Sequence, residues 1–89
     1  MSYKEQIERV QQILEEAQVP KFWYSIDEPK ECSISIINED DGIHVFIPER
    51  GDKTGERVYT YWYDIIIDVA NSFELKYTQK VFKIALKYL

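Results

Sequence analysis

Two side chains in this sequence could act together as a nucleophile and its base: one cysteine and one histidine. Cys32 and His44 could form a Cys–His pair or contribute to a zinc site. Neither has a partner at a spacing typical of zinc ligands. A tight turn at 40–41 would pair His44 near Ile37, far from Cys32. We therefore predict no catalytic residue, metal or cofactor, with Cys32 as a small buried side chain and His44 half-exposed on a strand.

Carboxylates are the most numerous reactive groups, and they cluster at 15–16, 39–41 and 49–56. Acid–base catalysis needs a cleft that separates two carboxyl pKa values. These clusters fall on a helix surface and in predicted loops, where carboxylates are usually solvated. The 39–42 segment lacks the ligand spacing of an EF-hand, and no glycine lies in a phosphate-binding loop motif. The sequence thus predicts a protein that is not an enzyme.

The net charge of −5 is unevenly distributed along the chain. Residues 1–56 carry 13 acidic and 6 basic side chains, whereas residues 57–89 carry 3 acidic and 5 basic ones. An acidic surface repels a nucleic acid backbone and attracts a basic partner. The alternative is that these charges only maintain solubility.

Length and composition indicate one small domain spanning residues 1–89. The hydrophobic fraction of 45% and the aromatic fraction of 15% are sufficient for a core. A single cysteine excludes an internal disulfide. The N-terminus has no apolar run of the signal-peptide type, and no apolar run is long enough for a membrane span. We expect a cytoplasmic protein that does not bind membranes.

Hydrophobic periodicity predicts the elements that must position these groups. A capping box at Ser2 and Glu5 starts the first helix. The predicted elements are a helix at 3–17, strands at 32–38, 43–47 and 57–62, and helices at 63–73 and 76–89. Whether 63–89 forms one helix or two stays open, with two favoured. The order α-β-β-β-α-α predicts a two-layer α+β domain, a three-stranded antiparallel meander covered by helices.

Aromatic residues suggest two further features. Phe22, Tyr24 and Ile26 alternate with Trp23 and Ser25, a pattern that allows a short strand. The run Phe22-Trp23-Tyr24 is predicted to close one end of the core. Aromatic side chains on the strands, Phe46, Tyr59 and Tyr61, raise the alternative of a nucleic-acid-binding sheet. The mainly acidic loops argue against that alternative.

The segment 43–73 contains a short motif, Glu49-Arg50-Gly51, at the end of a strand. A polar loop, an aromatic-ending strand and an amphipathic helix with acidic residues follow it. This arrangement resembles the small immunity proteins of bacterial polymorphic-toxin systems. The resemblance implies an acidic cytosolic α+β protein that binds and neutralises a cognate toxin domain. Without it, the motif is a loop in which Gly51 takes a positive φ and Arg50 pairs with an acid.

The resemblance implies inhibition by occlusion, with acidic side chains facing a basic toxin surface and tyrosines as anchors. The implied partner-binding residues are Glu39, Asp40, Asp41, Glu49, Arg50, Asp52, Glu56, Tyr59 and Tyr61. In a meander, the 38–42 turn and the 49–56 loop lie at opposite ends of the sheet. Which acidic cluster forms the interface therefore stays open.

The last helix offers an alternative interaction surface. Four lysines flank an apolar-aromatic stripe along it: Lys76, Lys80, Lys83 and Lys87 beside Tyr77, Val81, Ile84 and Tyr88. This face could support a homodimer or another homo-oligomeric adaptor or regulatory module.

Overall fold

A computed structural model describes residues 2–89 of the chain. The helices are α1 (Tyr3–Glu16), α2 (Trp62–Ala70) and α3 (Leu75–Ala85), and the strands are β1 (Tyr24–Ile26), β2 (Ile34–Glu39), β3 (Gly42–Glu49) and β4 (Asp52–Tyr59). Short 3₁₀ helices lie at Lys21–Trp23 and Leu86–Tyr88. Within the described residues, no helix has the length and apolarity needed to cross a membrane.

The first helix confirms its predicted capping box. The Ser2 hydroxyl accepts from the Glu5 backbone amide, and the Glu5 side chain accepts from the Ser2 amide. The periodicity indicates an apolar stripe of Tyr3, Ile7, Val10, Leu14 and Ala17. Of these, Ile7, Val10, Leu14 and Ala17 are buried, together with Ile13 at the edge of the stripe. Burial of this stripe against the sheet, rather than intrinsic propensity, accounts for most of the helix's stability.

The sheet has four strands in the order β1-β2-β3-β4 and is mixed. The α+β class is confirmed, but the predicted three-stranded antiparallel sheet is wrong in detail. The additional strand, β1, pairs in parallel with β2 through Tyr24↔Ile34 and Ile26↔Ile36. It is three residues long and lies in the segment 22–26, where the alternation of side chains allowed a short strand, and its pairing with β2 adds it to the sheet.

The first hairpin matches the prediction. Glu39 pairs with Gly42 across a two-residue turn at 40–41, and Ile37 pairs with His44. The two turn residues are Asp40 and Asp41, and Gly42, with a φ of 145°, is the first residue of β3. The predicted turn position at 40–41, and with it the register of this hairpin, is therefore confirmed.

The second hairpin corrects the predicted 49–56 loop. Glu49 pairs with Asp52, so the turn consists of Arg50 and Gly51 only. Both have positive φ, 50° and 83°, as a type I′ turn requires. The strand β4 therefore begins at Asp52, five residues before the predicted start at 57. It lies at the sheet edge, where charged side chains remain in water, and its composition consequently resembles that of a loop.

The segment 63–89, for which the sequence favours two helices over one, contains two α-helices. Residues 71–74 separate α2 from α3. Trp62 begins α2 instead of ending a strand, and its side chain is buried. Its backbone amide donates to the side-chain oxygen of Gln6 on α1, at 2.7 Å. This contact replaces the N-cap that the Tyr61 side chain does not supply.

The helices form one layer, in which α1 packs on β2 and β3, α2 packs on β4, and α3 packs on α1 and α2. The sheet side of this core comprises Ile36, Ile43 and Val45, which are fully buried. The prediction that Cys32 is buried is wrong, because β2 begins two residues later, at Ile34. Cys32 is exposed and has a φ of 62°. Among residues 2–89, no helix covers the opposite face of the sheet, which carries His44 and its neighbours.

Candidate functional site

Five charged side chains from two hairpins meet on the face of the sheet opposite the helices. We call them the His44 cluster: Glu39, Asp41, His44, Lys53 and Glu56. The His44 Nδ1 atom lies 2.6 Å from Glu56 Oε2 and 3.3 Å from Glu39 Oε2. On the other side of the ring, Nε2 lies 2.7 Å from Asp41 Oδ1. The cluster therefore joins β2, the first turn, β3 and β4.

The protonation state of His44 follows from this geometry. Ionised carboxylates only accept hydrogen bonds, whereas a neutral imidazole has one donor and one acceptor. Because both ring nitrogens face carboxylates, the arrangement fits an imidazolium that donates on both sides. Hydrogen bonds to Asp41 and Glu56 accordingly raise the pKa of His44, against the effect of burial. The hydrogen bond from His44 lowers the pKa of both partner carboxyls.

Lysine 53 completes the cluster. Its Nζ lies 3.4 Å from Glu39 Oε2 and 3.5 Å from Glu56 Oε2, and 5.0 Å from the centre of the buried Phe46 ring. The Glu39, His44 and Glu56 donor atoms are close enough together to hold a metal ion, within 4.8 Å of one another. The ammonium of Lys53 and the imidazolium of His44 together already balance the charges of these two carboxylates. The cluster is thus a satisfied internal ion network.

The predicted anchor Tyr59 belongs to a second internal network, on the helix face. Its hydroxyl donates to the Asp68 carboxylate on α2, and Arg57 holds the same carboxylate with two hydrogen bonds of 2.7 Å. Burial raises the pKa of Asp68, but the hydrogen bonds and charge of Arg57 and the Tyr59 hydroxyl outweigh it and leave the pKa lowered. This network ties β4 to α2.

The remaining predicted residues near the first hairpin are separate from these networks. Asp40 is exposed in the turn. Tyr61 is 42% exposed and lies against Trp62, with ring centres 5.6 Å apart. The rings of Phe46, Tyr59 and Tyr61 do not share one exposed face, because Phe46 is 2% exposed and Tyr59 lies on the helix face. They therefore provide no platform on which bases could stack.

At the opposite end of the sheet, the second hairpin presents Glu49, Arg50 and Asp52, all exposed. Glu31 joins them, because its carboxylate accepts the backbone amide of Arg50 at 2.8 Å. We call Glu31, Glu49 and Asp52 the acidic end. Among residues 2–89, the ion-paired carboxylates belong to other residues: Glu39, Asp41, Glu56 and Asp68. The acidic end is therefore free of internal ion pairs within that part of the chain.

An open, mainly apolar pocket adjoins the acidic end. Its volume is about 430 Å³, and it is lined by Phe22, Trp23, Cys32, Ile34, Ile47, Ser72, Phe73 and Glu74. Trp23 is fixed by stacking on Phe73, at 5.9 Å, and by an edge contact with Tyr77, at 5.2 Å. Phe22 is 67% exposed. Cys32, which lines the pocket, follows Glu31 in the chain, and the Cys32 amide donates to the Pro48 carbonyl. The same two backbone segments therefore form part of the pocket wall and carry residues of the acidic end.

Sequence reasoning missed this pocket. The aromatic run Phe22-Trp23-Tyr24 is the sequence feature that indicates a pocket here, but from the sequence we predict only that it closes one end of the core. Tyr24 does so, being 7% exposed, whereas Phe22 points into water. Cys32 lines this pocket while His44 belongs to the ion cluster, so the two do not form a catalytic pair.

No protein-family model, curated protein or solved structure matches this chain. The resemblance to immunity proteins consequently rests on the Glu49-Arg50-Gly51 motif and its setting alone.

Proposed function

We propose that this chain is a non-enzymatic protein-binding module, an immunity-type inhibitor that occludes a basic surface of a cognate toxin domain. The acidic end, with Arg50 at the tip of its turn, forms the interface. The neighbouring pocket supplies the apolar part. Protein interfaces commonly combine apolar anchors with a polar rim in this way.

The observation that carries the proposal is the difference in pairing between the two acidic groups. Glu39, Asp41 and Glu56 already share His44 and Lys53. A partner's cation would have to compete with these internal ones. Glu49 and Asp52 are exposed and have no ion pair among residues 2–89. Unpaired exposed carboxylates can steer a basic partner and contact it without that competition.

The position of the unpaired carboxylates also favours this end of the sheet. A two-residue I′ turn is a stiff connection, so Glu49 and Asp52 project from a fixed point. Rigid presentation lowers the entropy lost on association. Tyr59 is held by Asp68, and Tyr61 follows the opposite end of β4. The exposed aromatic ring nearest to this interface is that of Phe22.

The experiment is a binding measurement with the product of the adjoining gene as the candidate toxin. Glu49→Lys/Asp52→Lys changes the charge of the acidic end by four units. The control, Glu8→Lys/Glu15→Lys, makes the same change on the exposed face of α1. We expect the association rate at low salt to fall at least about tenfold for the first pair only.

Two results would contradict the proposal. One is equal association rates for the two charge-reversed pairs and the wild-type chain. The other is a binding rate that does not depend on ionic strength, since steering by exposed charges is screened by salt.

A second candidate function, a homo-oligomeric module, draws support from exposed leucines near the C-terminal helix. Leu75, Leu86 and Leu89 are 71%, 63% and 64% exposed. The tyrosines of the apolar-aromatic stripe on the last helix offer less surface to a second copy, because Tyr77 packs on Trp23 and Tyr88 packs on Arg9. A dimer that light scattering detects and that Leu86→Ser dissociates would favour this candidate.

A further inference from the structure

We infer that the apolar pocket receives one large apolar side chain of the partner protein, next to a lysine or arginine that pairs with Glu74. This inference rests on the proposed protein-binding function and specifies its partner. The occupant is thus a basic segment of polypeptide with an aliphatic or aromatic anchor.

The exposed ring of Phe22 indicates that the occupant of the pocket is apolar. A phenylalanine that is 67% exposed leaves much of its ring in water, beside a cavity whose other walls include Trp23, Ile34, Ile47 and Phe73. Burying such a surface is favourable in proportion to its apolar area. Exposed apolar surface beside a concave site is typical of a binding site.

The pocket walls are preorganised. Trp23 is held between Phe73 and Tyr77. The Ser33 hydroxyl donates to the Phe22 carbonyl at 3.0 Å, and the Cys32 amide donates to the Pro48 carbonyl at 3.0 Å. Little ordering of the backbone is then needed when a side chain enters, which favours affinity.

The charge requirement comes from Glu74, the one ionised side chain among the lining residues. Its side chain does not cap α3, although Glu74 is the N-cap residue. It has no ion pair among residues 2–89, and it is exposed. The adjoining acidic end adds the carboxylates of Glu31 and Glu49. A cation on the occupant complements this rim.

A partner protein fits the pocket better than a second copy of this chain. Each copy has a net charge of −5, and the pocket lies at the unpaired acidic end. Two such surfaces repel each other.

The test uses a phage-displayed library of random 12-residue peptides, selected on the wild-type chain. We expect enrichment of a large apolar residue within two positions of lysine or arginine. For a synthetic peptide with this motif, Phe22→Ala and Glu74→Lys should each weaken binding by about tenfold, measured by fluorescence polarisation. The controls Ile67→Ala and Glu8→Lys, also at exposed positions, should leave it unchanged.

Two further readouts make the result specific. A peptide whose basic residue is replaced by glutamate should bind Glu74→Lys more tightly than the wild-type chain. The bound motif peptide should also slow alkylation of Cys32 in the wild-type chain, because that thiol lines the pocket.

Several outcomes would overturn the inference. These are selected peptides without the motif, affinities that Phe22→Ala and Glu74→Lys do not change, or a self-dimer that Phe22→Ala dissociates. If the acidic-end variant loses the toxin while Phe22→Ala keeps it, the pocket inference fails alone. If motif peptides bind the pocket while the acidic-end variant keeps full affinity for the toxin, the proposed function fails and the pocket inference stands.

Discussion

At the scale of the residue, what a carboxylate can do here depends on whether another side chain already pairs with it. Glu56 and Asp52 belong to the same strand. Glu56 contacts His44 and Lys53, whereas Asp52 beside the second turn has no ion pair among residues 2–89. Glu56 is engaged within the sheet, whereas Asp52 is one of the carboxylates that we propose contact the partner.

The His44 cluster predicts a pH-dependent stability. Glu39, Asp41, Glu56 and Lys53 face the ring, and the pKa of His44 is raised. A raised folded-state pKa adds stability that is fully present below the unfolded value of about 6.5 and is lost as pH rises through the folded value. At pH 6, His44→Gln should lower the free energy of unfolding by about 1 kcal/mol.

Urea denaturation of both proteins between pH 6 and pH 9 measures this effect. The difference between wild type and His44→Gln should shrink as pH rises, because the wild-type imidazolium loses its proton. A difference that stays constant or grows over this range would show that the ring is not held as an imidazolium.

Sequence reasoning could predict part of this cluster. A tight turn placed at 40–41 gave the pairing of His44 with Ile37 correctly, and the turn residue Asp41 lies beside the ring. It could not bring Glu56 to the same ring, because that requires the register of β3 on β4. That register depends on the Arg50–Gly51 turn, which the charged composition of 49–56 concealed, and on an irregularity between Val45 and Ile47 that shifts the pairing by one residue.

At the scale of the element, a buried glutamine joins α1 to α2. Gln6 is 6% exposed, and its side-chain oxygen accepts the Trp62 amide. The apolar periodicity of α1 gave no sign of this role, since Gln6 lies beside the apolar stripe and looks like a surface residue. Its function becomes visible only when the first turn of α2 is placed against α1.

Gln6→Met retains the length of the side chain but removes the acceptor. The Trp62 amide is then buried without a partner, which should lower the free energy of unfolding by about 1–3 kcal/mol. The exposed control Gln12→Met should change it by less than about 0.5 kcal/mol. Equal effects of the two substitutions in urea denaturation would contradict the capping role.

The period of α1 was predictable from the sequence, which showed no clear break in 63–89 and only favoured two helices over one. The sequence allowed a short strand in the region of β1, but it gave neither the pairing of that strand with β2 nor the full length of β4. The strand β1 has only three residues, and β4 is an edge strand with exposed charges. In both, pairing with an adjacent strand outweighs composition.

At the scale of the whole molecule, the domain has two layers, and its two hairpin turns lie at opposite ends of the sheet. The Cα extents are 35 × 29 × 16 Å, the thin dimension corresponding to one sheet and one layer of helices. The end with the 40–41 turn carries the His44 cluster. The end with the Arg50–Gly51 turn carries the acidic end and the pocket. The pocket draws on residues from 22 to 74, so no local pattern could have predicted it.

The most direct test of the proposed interface is an NMR map of the ¹⁵N-labelled chain with the product of the adjoining gene added. We expect the largest amide shift changes at 22–23, 31–34, 47–52 and 72–74, with few around His44. Changes confined to the His44 cluster or to the lysine face of α3 would contradict it.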